Sequence, residues 1–395
     1  MFKPQRKDNK MKKAKKILAV ILTLLMFAPV LGVTSSAMDK SELRFNEDGK
    51  FTILNVSDIQ SGFPNHPPVM KLLRDTIRTV NPDLVVMTGD NIAGYACHTK
   101  ALSKACLDEI MNVFEREKVP VAIVFGNHDD EETTATKEDQ MRWYEQFDCF
   151  VGEAGPDDIT GVGTYNLPIL SSDGSHYAFN IWMTDSGTYN DENDLGGYGC
   201  PHKDQIEWYK KTALELKEQN GGKVVPAINF QHIIPVEIRQ LLSYPADRPP
   251  VFKDGVDYEG EINEPICPAA YTNGQFDAFL EIGDVIATVS GHDHTNTFKV
   301  NYKGIDIVNT PSINYITNNS DHHGDHNGCR VFVLDENDPT NYETSIVTYF
   351  DVYGDGAKAE NYFQMTACHS SSKEKFIAFF KYIFSAIAEL FGAAK

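Results

Sequence analysis

The sequence predicts an α/β fold in which a largely parallel or mixed sheet is covered on both faces by helices. Three observations carry that prediction. Short apolar runs alternate with segments of helical periodicity. The runs lack the every-other-residue polarity of a half-exposed strand. Polar residues cluster just past their carboxyl ends, where open α/β sheets place their ligands.

Taken in order, residues 51–57 form the first strand, ending at Asp58. Val69, Leu72, Leu73, Thr76, Ile77 and Val80 recur at helical spacing, so 67–80 is a helix. Leu84–Met87 is a buried strand running into Thr88-Gly89-Asp90. Residues 101–117 form a second helix, and 119–125 a third strand leading into Gly126-Asn127-His128-Asp129. Two further strands (164–170 and 177–184), a polar loop (185–202) and a helix from about 204 to 219 follow. A strand at 224–230 delivers His232. Residues 244–272 hold several prolines and read as an irregular insertion. The strand at 285–290 delivers Gly291-His292-Asp293-His294, and alternating strands run on to about Val352, with a turn at Lys303-Gly304.

The ends of the chain read differently. Eight basic residues and one acidic one lie in residues 1–37, followed within that stretch by an apolar run from Ile17 to Val33 and small residues up to Ala37. That order is the pattern of a secretory signal peptide cleaved after Ala37, with an uncleaved membrane anchor as the alternative. Either way the protein is expected to be secreted or held at the cell envelope. One domain spans 38–353. Residues 354–375 read as a linker, and 376–395 as an amphipathic helix suited to a membrane surface, a partner or its own domain.

Loss of the net +7 of residues 1–37 takes the formal charge from −20 to −27. So acidic a surface repels phosphate backbones and argues against nucleic acid as the main partner. Seven scattered cysteines form no CxxC pair. Most read as small buried apolar residues, with Cys97–Cys106 and Cys200–Cys267 open as bridges.

Five segments each end a strand with metal-ligating residue types: Asp58-Ile-Gln60, Gly89-Asp90-Asn91, Gly126-Asn127-His128-Asp129, His232 and Gly291-His292-Asp293-His294. Each alone is ordinary; a lone His is usually structural and Gly-Asp pairs are common in turns. Five in this order are not. On these motifs the chain, over roughly residues 50–350, resembles the calcineurin-like metallophosphoesterases, and more narrowly their secreted branch related to purple acid phosphatases.

The resemblance implies a central β-sandwich of mixed sheets flanked by helices. It also implies two divalent or trivalent metal ions (Mn, Fe, Zn or Mg) and hydrolysis of a small phosphate-ester substrate. Asp90 would bridge both ions, with Asp58, Gln60 and His294 at the first and Asn127, His232 and His292 at the second. His128 would stand at the leaving group, and Asp293 would face away or support its neighbours. His323, in the run Asp321–His326, and Arg330 are weaker candidates for the substrate phosphate.

Two positions depart from the family pattern. Gln60 stands where the family commonly has His, which weakens the first site or tilts it towards harder ions. Ala93 replaces the Tyr of purple acid phosphatases, so no charge-transfer colour is expected. It also replaces the acid with which the protein phosphatases of the family orient their catalytic His. The alternative to an exported phosphoesterase is a cell-surface binding protein on a catalytically degenerate scaffold.

Overall fold

The computed structural model describes residues 42–245, 250–314 and 327–354. The signal peptide, His323, most of the linker and the C-terminal helix lie outside the described residues. In chain order the elements are β1 (Lys50–Val56), α1 (Pro67–Val80), β2 (Leu84–Thr88), α2 (Lys100–Glu117), β3 (Val121–Val124) and α3 (Lys137–Tyr144). They continue with β4 (Tyr165–Leu170), β5 (Tyr177–Met183), α4 (Lys203–Gln219), β6 (Ala227–Phe230), β7 (Leu242–Ser243), β8 (Val251–Phe252) and β9 (Tyr258–Glu259). The last are α5 (Gln275–Ile282), β10 (Val285–Ser290), β11 (Lys299–Tyr302), β12 (Ile305–Asn309), β13 (Gly328–Asp335), β14 (Tyr342–Thr348) and α6 (Tyr349–Tyr353).

These strands form two large mixed sheets, ordered β14-β13-β1-β2-β3 and β4-β5-β6-β10-β12-β11-β9. β1, β2 and β3 run parallel in the first, and β5, β6, β10 and β12 in the second. The expected β-sandwich is therefore present. Between the sheets lie Phe51, Ile53, Val86 and Val124 from one and Phe179, Ile228, Val289 and Val308 from the other. The outer face of the first sheet packs on α1 and α2 through Leu72, Leu73, Ile110 and Phe114. That of the second packs on α4 and α5 through Tyr209, Ala213, Phe276 and Phe279. Strands buried on both faces need apolar residues at successive positions, which is why their sequence does not alternate.

Local chemistry sets the helix ends. α1 opens on Pro67-Pro68 and closes on Asn81 in the left-handed region, whose N–H bonds the Ile77 carbonyl. Thr99 caps α2 by accepting from Leu102 N. Sequence periodicity missed α3, which has few apolar residues; the Thr136–Asp139 capping box at its start was the available signal. It also missed α5, an eight-residue helix with left-handed glycines, Gly274 and Gly283, at its two ends. The insertion at 244–272 is not wholly irregular, because β9 joins the edge of the second sheet. The expected final strand gives way after Thr348, where another capping box, with Asp351, starts α6.

Most described cysteines are buried, as expected of small apolar residues, while Arg330 departs from its expected place. All six described cysteines are free, so neither bridge is formed; Cys106 instead donates to the Ser61 carbonyl and Asn65 Oδ1. Arg330 is buried between the sheets and does not reach a substrate. Its guanidinium donates to the carbonyls of Thr297 (2.7 Å) and Asn309 (2.9 Å) and to Thr344 Oγ1 (3.3 Å). Arg330→Met should lower stability in urea unfolding by about 1–3 kcal/mol, by stranding those carbonyls, and leave metal affinity unchanged. A loss of metal affinity with stability intact would contradict this structural role.

Candidate metal centre

The register of the parallel strands aligns their carboxyl ends: Val56 pairs with Met87, Thr88 with Val124, Met183 with Phe230 and Val289 with Phe230. All five motifs therefore emerge at one edge of the sandwich. The turns that follow are strained. Asp58 (φ 52°), Gln60 (φ 40°), Asp90 (φ 49°) and His292 (φ 71°) are four of the eight non-glycine residues with positive φ among the described residues. Such backbone persists only where its surroundings hold it, and it concentrates at functional sites. Here Asp58 N donates to the Gly89 carbonyl (3.1 Å) and Gln60 N to the Asp90 carbonyl (2.7 Å). Two glycines permit the close approach. A Cβ on Gly126 would stand 2.2 Å from Asp90 Oδ1, and one on Gly291 1.8 Å from Ser57 Oγ.

Two groups of ligand atoms converge, Asp90–His232–His292 and Asp58–Asp90–His294, and each lies within 4.8 Å of mutual separation. Asp90 is common to both. In the first group Asn127 Oδ1, His292 Nδ1 and Asp90 Oδ2 stand 3.1, 3.2 and 3.3 Å from His232 Nε2. In the second, His294 Nε2 stands 3.5 Å from Asp58 Oδ1. Asp58 Oδ1, Asp90 Oδ2 and His292 Nε2 are buried without a hydrogen-bond partner. Buried carboxylates with unsatisfied oxygens are costly, and cations between them would satisfy them. The donor set fits a two-cation centre.

Supporting contacts orient the ligands. His232 Nδ1–H donates to the Thr88 carbonyl (2.9 Å), which turns Nε2 into the site. Asp90 Oδ1 accepts from His128 N (2.8 Å), leaving Oδ2 inward. Asp129 accepts from Ile92 N and Gly126 N and so pins two motif loops together. Asp293 faces away: it accepts from Cys267 N and Asn296 Nδ2. Gln60 is buried on the first loop. His128 is held by a side chain outside the five motifs, its Nδ1–H donating to Glu131 Oε2. Nε2 of the same ring lies 4.0 Å from Asp90 Oδ2. A carboxylate three residues beyond a motif His was the only signal for Glu131.

Charge within the site is uneven. Burial pushes the Asp90 carboxyl up, but the charge of His232, and then that of His128, overcome it and hold it well below the usual range. For His232, burial works against the charged ring, yet Asp90 outweighs it and raises the pKa to about 9. Burial, and then the His232 charge, push His292 down to about 3, leaving a neutral imidazole.

A family model described as calcineurin-like phosphoesterase matches residues 51–296. The chain belongs to that family. It is 29% identical over 306 residues to "Probable inactive purple acid phosphatase 14" of Arabidopsis thaliana, covering 69% of this chain and 73% of the relative. "Probable inactive purple acid phosphatase 29" of the same plant is 28% identical over 327 residues, covering 73% and 79%. Among solved structures, a dimetal phosphatase from Danio rerio aligns at a TM-score of 0.47 and 15% identity, over 75% of this chain and 98% of its own.

His232 is raised above its ordinary 6.5, so its pair with Asp90 stabilises the metal-free chain fully below about pH 6.5. That contribution is lost as pH rises through about 9. Ligation needs Nε2 without its proton. Metal uptake at pH 7 should therefore release about one proton, and affinity should tighten as pH rises towards about 9. Calorimetric titration in buffers of different ionisation enthalpy measures this, and zero proton release would contradict it. Gly126→Ala, which drives a methyl into Asp90, should weaken metal binding at least tenfold, about 1.4 kcal/mol, in a chelator competition. Unchanged affinity would mean that Asp90 tolerates displacement.

Proposed function

We propose that this chain is an exported phosphoesterase that hydrolyses phosphate mono- or diesters with a water activated by two metal ions. The observation that carries it is the pair of ligand groups sharing one buried carboxylate, Asp90. Asp58, His294 and the Gln60 amide would hold one ion, and Asn127, His232 and His292 the other. When bound, two such ions supply a nucleophilic water at neutral pH and neutralise the phosphate oxygens. The mixed oxygen and nitrogen donors suit Mn, Fe, Zn or Mg.

The chain's own residues do the rest. Asp90, with Oδ1 occupied by His128 N, keeps Oδ2 aimed at the centre. His128, about a quarter exposed, stands on the open side of Asp90 and would donate from Nε2 to the departing oxygen. Export is supported by the basic, apolar and small-residue order of residues 1–37. The acidic balance supports a small ester over nucleic acid as substrate.

A second reading, a binding protein on a degenerate scaffold, is favoured by Gln60 and by relatives whose names say "probable inactive". Restoring Mn, Zn, Fe or Mg to chelator-stripped protein and comparing p-nitrophenyl phosphate with its bis-ester separates the two. The phosphoesterase reading expects at least one metal to restore turnover. It also expects Asp90→Asn to lower kcat at least a hundredfold, about 2.7 kcal/mol. Metal uptake with no turnover of either ester would favour the binding protein.

A further inference from the structure

The loop that carries Ala93 brings no acid to the leaving-group histidine, but a different loop does. Glu131 Oε2 accepts the Nδ1–H of His128, and Glu131 Oε1 accepts the hydroxyl of Tyr189 at 3.0 Å. Tyr189 stacks on Tyr198 with ring centroids 5.8 Å apart, and Tyr198 meets the His292 ring edge-on at 4.1 Å. On the other side Tyr95 meets His128 edge-on at 5.3 Å. The turn bearing Glu131 is itself fixed: Gly94 N donates to the His128 carbonyl at 2.7 Å. A Cβ on Gly94 would lie 2.4 Å from the Glu131 carbonyl oxygen, so the two loops pack backbone to backbone.

We propose that Glu131 is the positioning residue of His128, and that Tyr189 holds Glu131 in place from the 185–202 loop. The proposal rests on His128 serving the leaving group. A carboxylate on Nδ1 fixes the rotation of the ring and presents Nε2 towards Asp90, as acids behind catalytic or metal-bound imidazoles do elsewhere. The hydroxyl of Tyr189 donates to Glu131 Oε1. It takes one carboxylate oxygen and leaves the other for His128. The belt Tyr198–Tyr189–Glu131–His128 thus joins a ligand of one ion to the leaving-group side of the site. It makes the 185–202 loop part of the catalytic architecture.

The orientation can be read without turnover. The His128 Nδ1 proton should appear downfield of the amide envelope in the NMR spectrum of the metal-loaded full chain, and Glu131→Ala should abolish it. Its absence from the unaltered protein, or its survival in Glu131→Ala, would overturn the proposal.

Kinetics tests the consequence, because a misplaced donor matters most for esters with poor leaving groups. Glu131→Ala should lower kcat on an alkyl phosphate about 10–100-fold, with KM and metal content unchanged, and p-nitrophenyl phosphate much less. Glu131→Gln, which keeps an acceptor for Nδ1–H, should recover part of the loss, and Tyr189→Phe should show a smaller one. Equal loss on both esters, or none, would overturn the proposal. His128→Ala separates the two levels. If it shows the leaving-group dependence and Glu131→Ala does not, only the positioning role falls. If His128→Ala shows none, the assignment of His128 falls and the proposal with it.

Discussion

The centre depends on one buried carboxylate held where two sheets meet. Asp90 has no solvent exposure, and its nearest compensating charge is a single imidazole, His232, 3.3 Å away. Asp58, also fully buried, leaves one oxygen without a hydrogen bond. A protein does not keep two carboxylates and four imidazoles at one sheet edge for stability, since burying such groups unpaired costs several kcal/mol each. The arrangement is intelligible if cations complete it.

The cost is spread through the backbone. Left-handed conformations at Asp58, Gln60, Asp90 and His292 turn side chains that would otherwise continue along the strands into the space between the loops. They are held by hydrogen bonds between neighbouring loops and by glycines at Gly126 and Gly291 that admit an oxygen where a Cβ would stand. The two sheets, packed through Phe51, Val86, Phe230 and Val289, fix the loop origins. Core packing, turn strain and ligand placement therefore form one device.

Much of this was legible in the sequence because two independent periodicities agreed. Apolar runs marked strands buried on both faces, and polar motifs marked where each strand stopped. The strand ends at Asp58, Asp90, Asn127, His232 and His292 could be read together for that reason. What escaped has a physical cause in each case. α3 has a capping box but hardly any apolar stripe, and α5 is only eight residues long. Arg330 looked like a phosphate ligand because a cation near a His-rich run suggests one, yet its sheet register faces it into the sandwich opposite Asn55. Glu131 and Tyr189 meet across 58 residues, a contact that no local pattern encodes.

Anomalous diffraction from crystals of the Mn-loaded protein tests the central claim most directly. The account predicts two metal peaks on either side of the Asp90 carboxylate, one near Asp58 and His294, the other near Asn127, His232 and His292. A single peak, or two peaks that do not share Asp90, would contradict it.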